Sequence, residues 1–228
     1  MVILNLLIYF VFQSTFNMKS ETESIEDIKA IRKIMEDSSR FLSLSGHSGV
    51  FAGILAIAGA LVAWFFILVN ESYRFTDYIG RLTEESFISH RWLLLADAGA
   101  VLLLSVMFAV YFSIRKARRD GKAIWNPVSR RLLINLFIPL TTGGIFIIAI
   151  LMQGYLQLAV PCFLIFYGLA LVNAGKFTIG EVLYLGILEI ITGLVSVVVP
   201  GWDLIFWVFG FGILHIFYGL AMYRKYKA

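Results

Sequence analysis

The sequence predicts an all-α, polytopic membrane protein: six transmembrane helices preceded by an amphipathic helix on the cytoplasmic side. Three observations lead there. Of the 228 residues, 60% are hydrophobic and 15% charged, with a mean hydropathy of +0.85, against roughly half and a quarter in a soluble domain. Six apolar segments each approach the roughly 20 residues that a bilayer core asks of a helix. Lys and Arg gather at the ends of those segments, where they act as topology signals. That placement turns a formal net charge of +4 toward the membrane surface and away from nucleic acid.

Residues 1–18 form an apolar extension, MVILNLLIYFVFQSTFNM. Its apolar run is too short to span, and no basic residue precedes it, so it makes a poor signal peptide. Met18 opens a polar stretch like a natural start, and residues 1–17 are expected to be an upstream extension from a misassigned start codon, with a short helix lying in the membrane surface as the alternative. Residues 19–45 follow as the cytoplasmic helix, with Ile25, Ile28, Ile31 and Met35 on one side and charges elsewhere.

The first transmembrane hairpin covers 49–114, with spans at 49–70 and 92–114 joined by the polar segment 71–91. The loop 115–131, RKARRDGKAIWNPVSRR, holds seven Lys/Arg against Asp120. The second hairpin covers 132–173 (spans 132–153 and 155–173) and the third 179–223 (spans 179–199 and 204–223). A basic tail, 224–228, carries Arg224, Lys225 and Lys227. Short loops rich in Lys and Arg remain on the cytoplasmic side, and alternation from 115–131 then places both termini there. Every basic cluster agrees with that threading. Arg115, Lys116, Arg118, Arg119, Arg130 and Arg131 become the expected contacts to anionic lipid or to a partner. The single cysteine, Cys162, excludes an intrachain disulfide and a cysteine metal cluster.

FYGLA occurs at 166–170 and again at 217–221, and PLTTGGI at 139–145 aligns with EIITGLV at 189–195. Thr142 then pairs with Thr192 and Gly143 with Gly193. The second and third hairpins read as parallel copies of one unit. The glycines are expected to let helices approach closely, and Tyr167 and Tyr218 to place hydroxyls near the cytoplasmic interface.

The copies differ at two ionisable positions. Glu189 stands opposite Pro139, and His215 opposite Leu164. Both fall near mid-membrane, where a charge costs at least about 2.5–3.5 kcal/mol. At about 100° per residue, Glu181, Glu189, Thr192 and Ser196 occupy an arc of roughly 80° on span five, a polar stripe on an apolar helix. His215 shares a face with Gly212 and Gly219, a combination that should pack inward. A Glu189–His215 contact is expected, either as a proton relay or solute site or as an internal tie between helices. Glu181, at the inner boundary, is expected to cap or solvate its helix start. Asp97 lies shallow in span two, within reach of water. Pro139 and Pro161 are positioned to kink spans three and four, and TTGG at 141–144 to expose carbonyls. His47 and His90 fall at opposite faces, so they cannot share a metal, and no cofactor is expected.

With the threading described, IRKIMEDSSRFLSLSGHSG at 31–49 and YGLALVNAGKFTIGEVLYLGILEIITG at 167–193 resemble a group of six-span bacterial membrane proteins with no assigned activity. The resemblance covers most of the chain after Met18. It implies a bacterial inner membrane and carries no catalytic residue or cofactor.

For function, the first expectation is a non-enzymatic membrane scaffold or regulatory component that presents 19–45 and 115–131 to a cytoplasmic protein or to lipid. The alternative is a small proton-coupled transporter, working as a homo-oligomer and using Glu189, His215 and the threonines Thr141 and Thr142. The chain lacks histidine boxes, a Ser/His or Asp/Asp pair on facing spans, and a phosphate-binding loop, which disfavours an enzyme.

Overall fold

The structure is a computed structural model, and it describes residues 25–26, 28–29, 44–68, 84–121 and 123–226. The apolar extension 1–18 and most of 19–45 lie outside the described residues, although Ile25, Glu26, Ile28 and Lys29 are helical. Residues Met1–Arg40 form one unit and Phe41–Ala228 another. In the second unit every regular element among the described residues is a helix. Six of them are long and apolar enough to cross a membrane. They are span 1 (Gly46–Phe65), span 2 (Trp92–Arg119), span 3 (Pro127–Met152), span 4 (Leu156–Gly175), span 5 (Gly180–Val198) and span 6 (Asp203–Lys225).

The basic segment is shorter as a loop than its composition suggests. The helix carrying span 2 runs Glu84–Arg119 and ends with Lys116, Arg118 and Arg119 in its last turn, where cations complement the carbonyl end of the helix dipole. Span 3 starts at Pro127 because Asn126 caps it. The Asn126 side chain accepts from the Ser129 backbone N–H at 2.8 Å, and Ser129 Oγ accepts from the Asn126 N–H at 2.9 Å. This reciprocal box satisfies two orphan donors, and Pro127 loses nothing in a first turn that has no acceptor for its N–H. The connection proper is therefore 120–126. The tight turns at the opposite end pivot on Gly154 (φ 88°) and Gly201 (φ 90°), a backbone region that costs side-chain-bearing residues.

Two glycine-on-glycine crossings set the packing. A Cβ on Gly219 would lie 2.5 Å from the Gly46 carbonyl oxygen, and one on Gly53 2.5 Å from that of Gly212, which brings spans 1 and 6 backbone to backbone. A Cβ on Gly168 would lie 2.6 Å from the Gly186 carbonyl oxygen, locking spans 4 and 5 in the same way. In lipid, where no hydrophobic force drives helices together, such close approach is a main source of association. Gly168 and Gly219 are the glycines of the two FYGLA copies, so each copy makes one crossing. Their aligned partners behave differently: Gly143 packs on Phe166 and Gly193 on Ile165. Both neighbours belong to span 4, so spans 5 and 6 do not repeat the packing of spans 3 and 4.

Span 1 sits between spans 2 and 6, and span 4 between spans 3 and 5. Residues such as Leu103, Met107, Ile138, Ile145 and Ile148 face outward, an apolar surface suited to lipid. At the end opposite 120–126, Trp64, Trp92, Tyr155 and Trp202 are exposed, as in an interfacial aromatic belt.

Candidate functional site: a buried glutamate–histidine–tyrosine contact

Span 5 turns Val182, Leu185, Gly186, Glu189, Thr192, Gly193 and Ser196 inward. The expected polar stripe is therefore the packed face of the helix. Glu189 lies at its centre, and its exposure is 0%. Thr192 donates back to the Leu188 carbonyl at 2.7 Å, within its own helix. The Ser196 hydroxyl is buried with no hydrogen-bond partner. Glu181 is at the helix start, paired with Lys225 of span 6, so it ties the tail to the bundle as well as complementing the positive helix end.

Span 6 is built in three parts: an α-helix Asp203–Trp207, a π-helical stretch Val208–Leu214, and an α-helix His215–Tyr226. Gly212 and Gly219 pack on span 1, while the His215 ring reaches residues of spans 4 and 5. Its Nδ1 lies 3.3 Å from Glu189 Oε1 and 3.2 Å from the Gly210 carbonyl oxygen. Its Nε2 lies 2.8 Å from the hydroxyl of Tyr167. The contact expected between Glu189 and His215 is present, and it extends to a third residue.

The carbonyl of Gly210 can only accept, so Nδ1 carries a hydrogen, and in a neutral ring Nε2 accepts from the Tyr167 hydroxyl. Neither oxygen of Glu189 has a partner at hydrogen-bond geometry, although Oε1 is within ion-pair distance of the ring. The surroundings are close-packed. A Cβ on Gly210 would lie 2.7 Å from Glu189 Oε2 and 2.5 Å from Leu164 Cδ2, and Leu164 is itself 0% exposed. Phe211 packs at a tilt against both Tyr167 and His215, at centroid distances of 5.3 and 6.1 Å. The trio is sealed by small and aromatic side chains.

Tyr167 was expected at the interface and is instead the third member of the buried contact. Its sequence signal, the tyrosine of FYGLA, is identical to that of Tyr218, so the motif alone does not separate them. Thr141 and Thr142 are exposed, and Thr142 donates to the Ile138 carbonyl at 2.9 Å. They face away from the trio. Asp97 packs against Gly59 of span 1, at 3.4 Å from a Cβ built there. His47 lies between Phe112 and Tyr223. Among the described residues no group of three or more His, Cys, Asp or Glu could hold a metal.

Of the basic residues, Arg115, Arg118, Arg130 and Arg131 are exposed. Lys116 donates to the Leu44 carbonyl at 2.9 Å, and Arg119 Nε lies 3.5 Å from Asp120 Oδ1. The cluster is thus distributed over two helix ends and one short connection.

Fold and site together define an architecture suited to a multi-pass helical membrane protein, with an ionisable contact closed inside its bundle. Comparison with protein-family models, curated proteins and solved structures finds no match.

Proposed function

We propose that the protein is a non-enzymatic component of a bacterial inner membrane, a scaffold or regulator that acts through its exposed surfaces rather than by moving a solute through its centre. The closure around Glu189 carries this reading. A carboxyl group with 0% exposure, between Leu164, Gly210 and a histidine that is 5% exposed, has no room for a passing solute. Such a group orients helices: His215 of span 6 meets Tyr167 of span 4 and Glu189 of span 5, which fixes the rotation of span 6 about its axis. Buried polar contacts serve specificity of packing in this way in some proteins, at a cost in stability.

In this proposal both termini and 120–126 face the cytoplasm, in accord with the basic residues around that connection. A cytoplasmic protein or anionic lipid then meets Arg115, Arg118, Arg130 and Arg131 together with the segment 19–45, and two copies of the chain can associate through the exposed face of span 2. The doubled FYGLA is the trace of a duplicated hairpin whose copies have since acquired different neighbours.

One observation favours proton-coupled transport as a second reading. Both oxygens of Glu189 lack hydrogen-bond partners while fully buried, as in a carboxyl group poised to exchange a proton. Purified full-length protein and its Glu189→Gln variant separate the two. The scaffold reading expects a changed melting temperature in detergent and, in vesicles, proton entry no faster than in protein-free vesicles. Proton flux present in the native protein and lost in a folded variant would establish transport instead.

A further inference from the structure

Two carboxylates, Asp203 and Asp97, lie nearer the end of the bundle that carries the Gly154 and Gly201 turns, and neither is part of the contact around Glu189. Asp203 opens span 6, directly after the Gly201 turn, and is only 2% exposed. Both of its carboxylate oxygens are buried without a hydrogen-bond partner. The backbone N–H groups of Gly201 and of Asp203 itself approach the carboxylate without reaching that geometry. Asp203 lines a cavity of about 70 Å³ that Asp97 of span 2 also lines. At roughly 10–15 Å³ for each water-sized sphere, this is room for about five such spheres, hence for a small organic molecule. Residues from spans 1, 2, 3, 4 and 6 form the wall.

The chemistry of the wall selects the ligand. Two carboxylates disfavour an anion. Apart from them the lining is apolar and aromatic, including Leu151, Phe163 and Trp207. The indole N–H of Trp207 is already used, donating to the Ala56 carbonyl at 3.2 Å. What Trp207 and Phe163 offer the cavity is ring surface, with their centroids 6.0 Å apart and their planes edge to face. Ring surface attracts organic cations. A divalent metal ion would need more oxygen or nitrogen donors than two carboxylates in an apolar shell provide, and no group of three metal-ligating side chains exists among the described residues. A buried carboxylate whose oxygens lack a well-formed hydrogen bond suits a ligand that brings donors of its own. A primary ammonium brings three N–H groups and a compensating charge, and a short alkyl chain fills the apolar remainder.

We propose that this cavity binds a small primary alkylammonium ion, its N–H groups donating to Asp203 and Asp97 and its alkyl body lying against Phe163, Trp207 and Leu151. The site stands independently of the function proposed above. Phe211 packs on Trp207 at 4.7 Å and on His215 at 6.1 Å, so one aromatic ring lies between the cavity wall and the buried contact.

The test uses the purified full-length protein in lipid nanodiscs, with n-propylammonium chloride as the probe and calorimetric binding and melting temperature as readouts. Sodium chloride, magnesium chloride and the uncharged isostere n-propanol serve as comparisons. The proposal expects saturable binding of n-propylammonium that the three comparisons do not reproduce. Asp203→Asn should weaken it by about ten- to hundredfold, the scale of losing a hydrogen bond to a charged group, and Asp97→Asn should weaken it as well. Ala98→Leu, which adds bulk to the wall and keeps both carboxylates, should abolish binding, and it decides the matter if Asp203→Asn fails to fold. Equal responses to n-propylammonium and to sodium, binding of magnesium or n-propanol in its place, or unchanged affinity in a folded Asp203→Asn or Ala98→Leu variant would overturn the proposal.

Discussion

Glu189 Oε1 and His215 Nδ1 lie 3.3 Å apart, joining the centres of two apolar helices that also meet through Val182, Leu185 and Met222. Glu189 is nine residues from each end of Gly180–Val198, the depth at which an ionisable group is most costly to place. That cost bears on every expectation below, because removing one partner leaves the other buried without relief.

His215→Ala should destabilise the protein by about 3–5 kcal/mol, the scale for stranding one member of a buried ionisable pair. Replacing both members, as Glu189→Met with His215→Leu, should cost less than the single change, because no polar group is then stranded. Unfolding in detergent of the two single variants and the double variant gives the coupling directly. Additive losses would mean that the two side chains do not interact.

Tyr167→Phe removes the hydroxyl 2.8 Å from Nε2 of His215 and leaves the shape of the core intact. The expected loss is about 0.5–2 kcal/mol, since interhelical hydrogen bonds in membranes are individually modest. A chemical-shift change at the His215 ring in the Phe variant, read by ¹⁵N NMR, would register the lost partner independently of stability.

Glycine substitutions should sort by their neighbours. Gly219→Ala and Gly168→Ala drive a methyl into backbone 2.5 and 2.6 Å away and should cost about 1–3 kcal/mol by overpacking. Gly99→Ala and Gly144→Ala meet nothing within 4 Å. They should be neutral or stabilising by up to about 1 kcal/mol, because alanine is the better helix former. Thermal melts of the four variants in one detergent make the comparison.

The pair between Lys225 and Glu181 should contribute little. Lys225 is 63% exposed, and exposed pairs give about 0–1 kcal/mol, less in salt. Lys225→Ala should therefore shift the melting temperature slightly at low ionic strength and less still at high.

How much of this was readable in advance depends on the distance over which the cause acts. The six spans follow from a local quantity, apolar length, and the inward face of span 5 from the spacing of Glu189, Thr192 and Ser196. The start of span 3 was also written locally, in Asn126, Pro127 and Ser129, but the run of basic residues around them suggested a longer loop. Tyr167 was not readable, because its difference from Tyr218 is the helix it faces, a property of packing between distant segments. The π-helical stretch Val208–Leu214 was hidden for a related reason. Its apolar residues fit a regular helix equally well, so nothing in their spacing marks the wider turn. Asp203 falls just before the apolar segment 204–223, outside the spans read from the sequence, and its burial arises from five spans converging around it.

The most direct measurement of the central claim is the water accessibility of position 189. In a Cys162→Ser background, Glu189→Cys would be exposed in sealed vesicles to a charged, membrane-impermeant thiol reagent added to either side. Trp125→Cys and Gln153→Cys, both at exposed positions, serve as positive controls for the two faces. A closed tie predicts no modification at 189 from either side while both controls react. Modification at 189 from one face would reveal a water path to the glutamate and contradict the account.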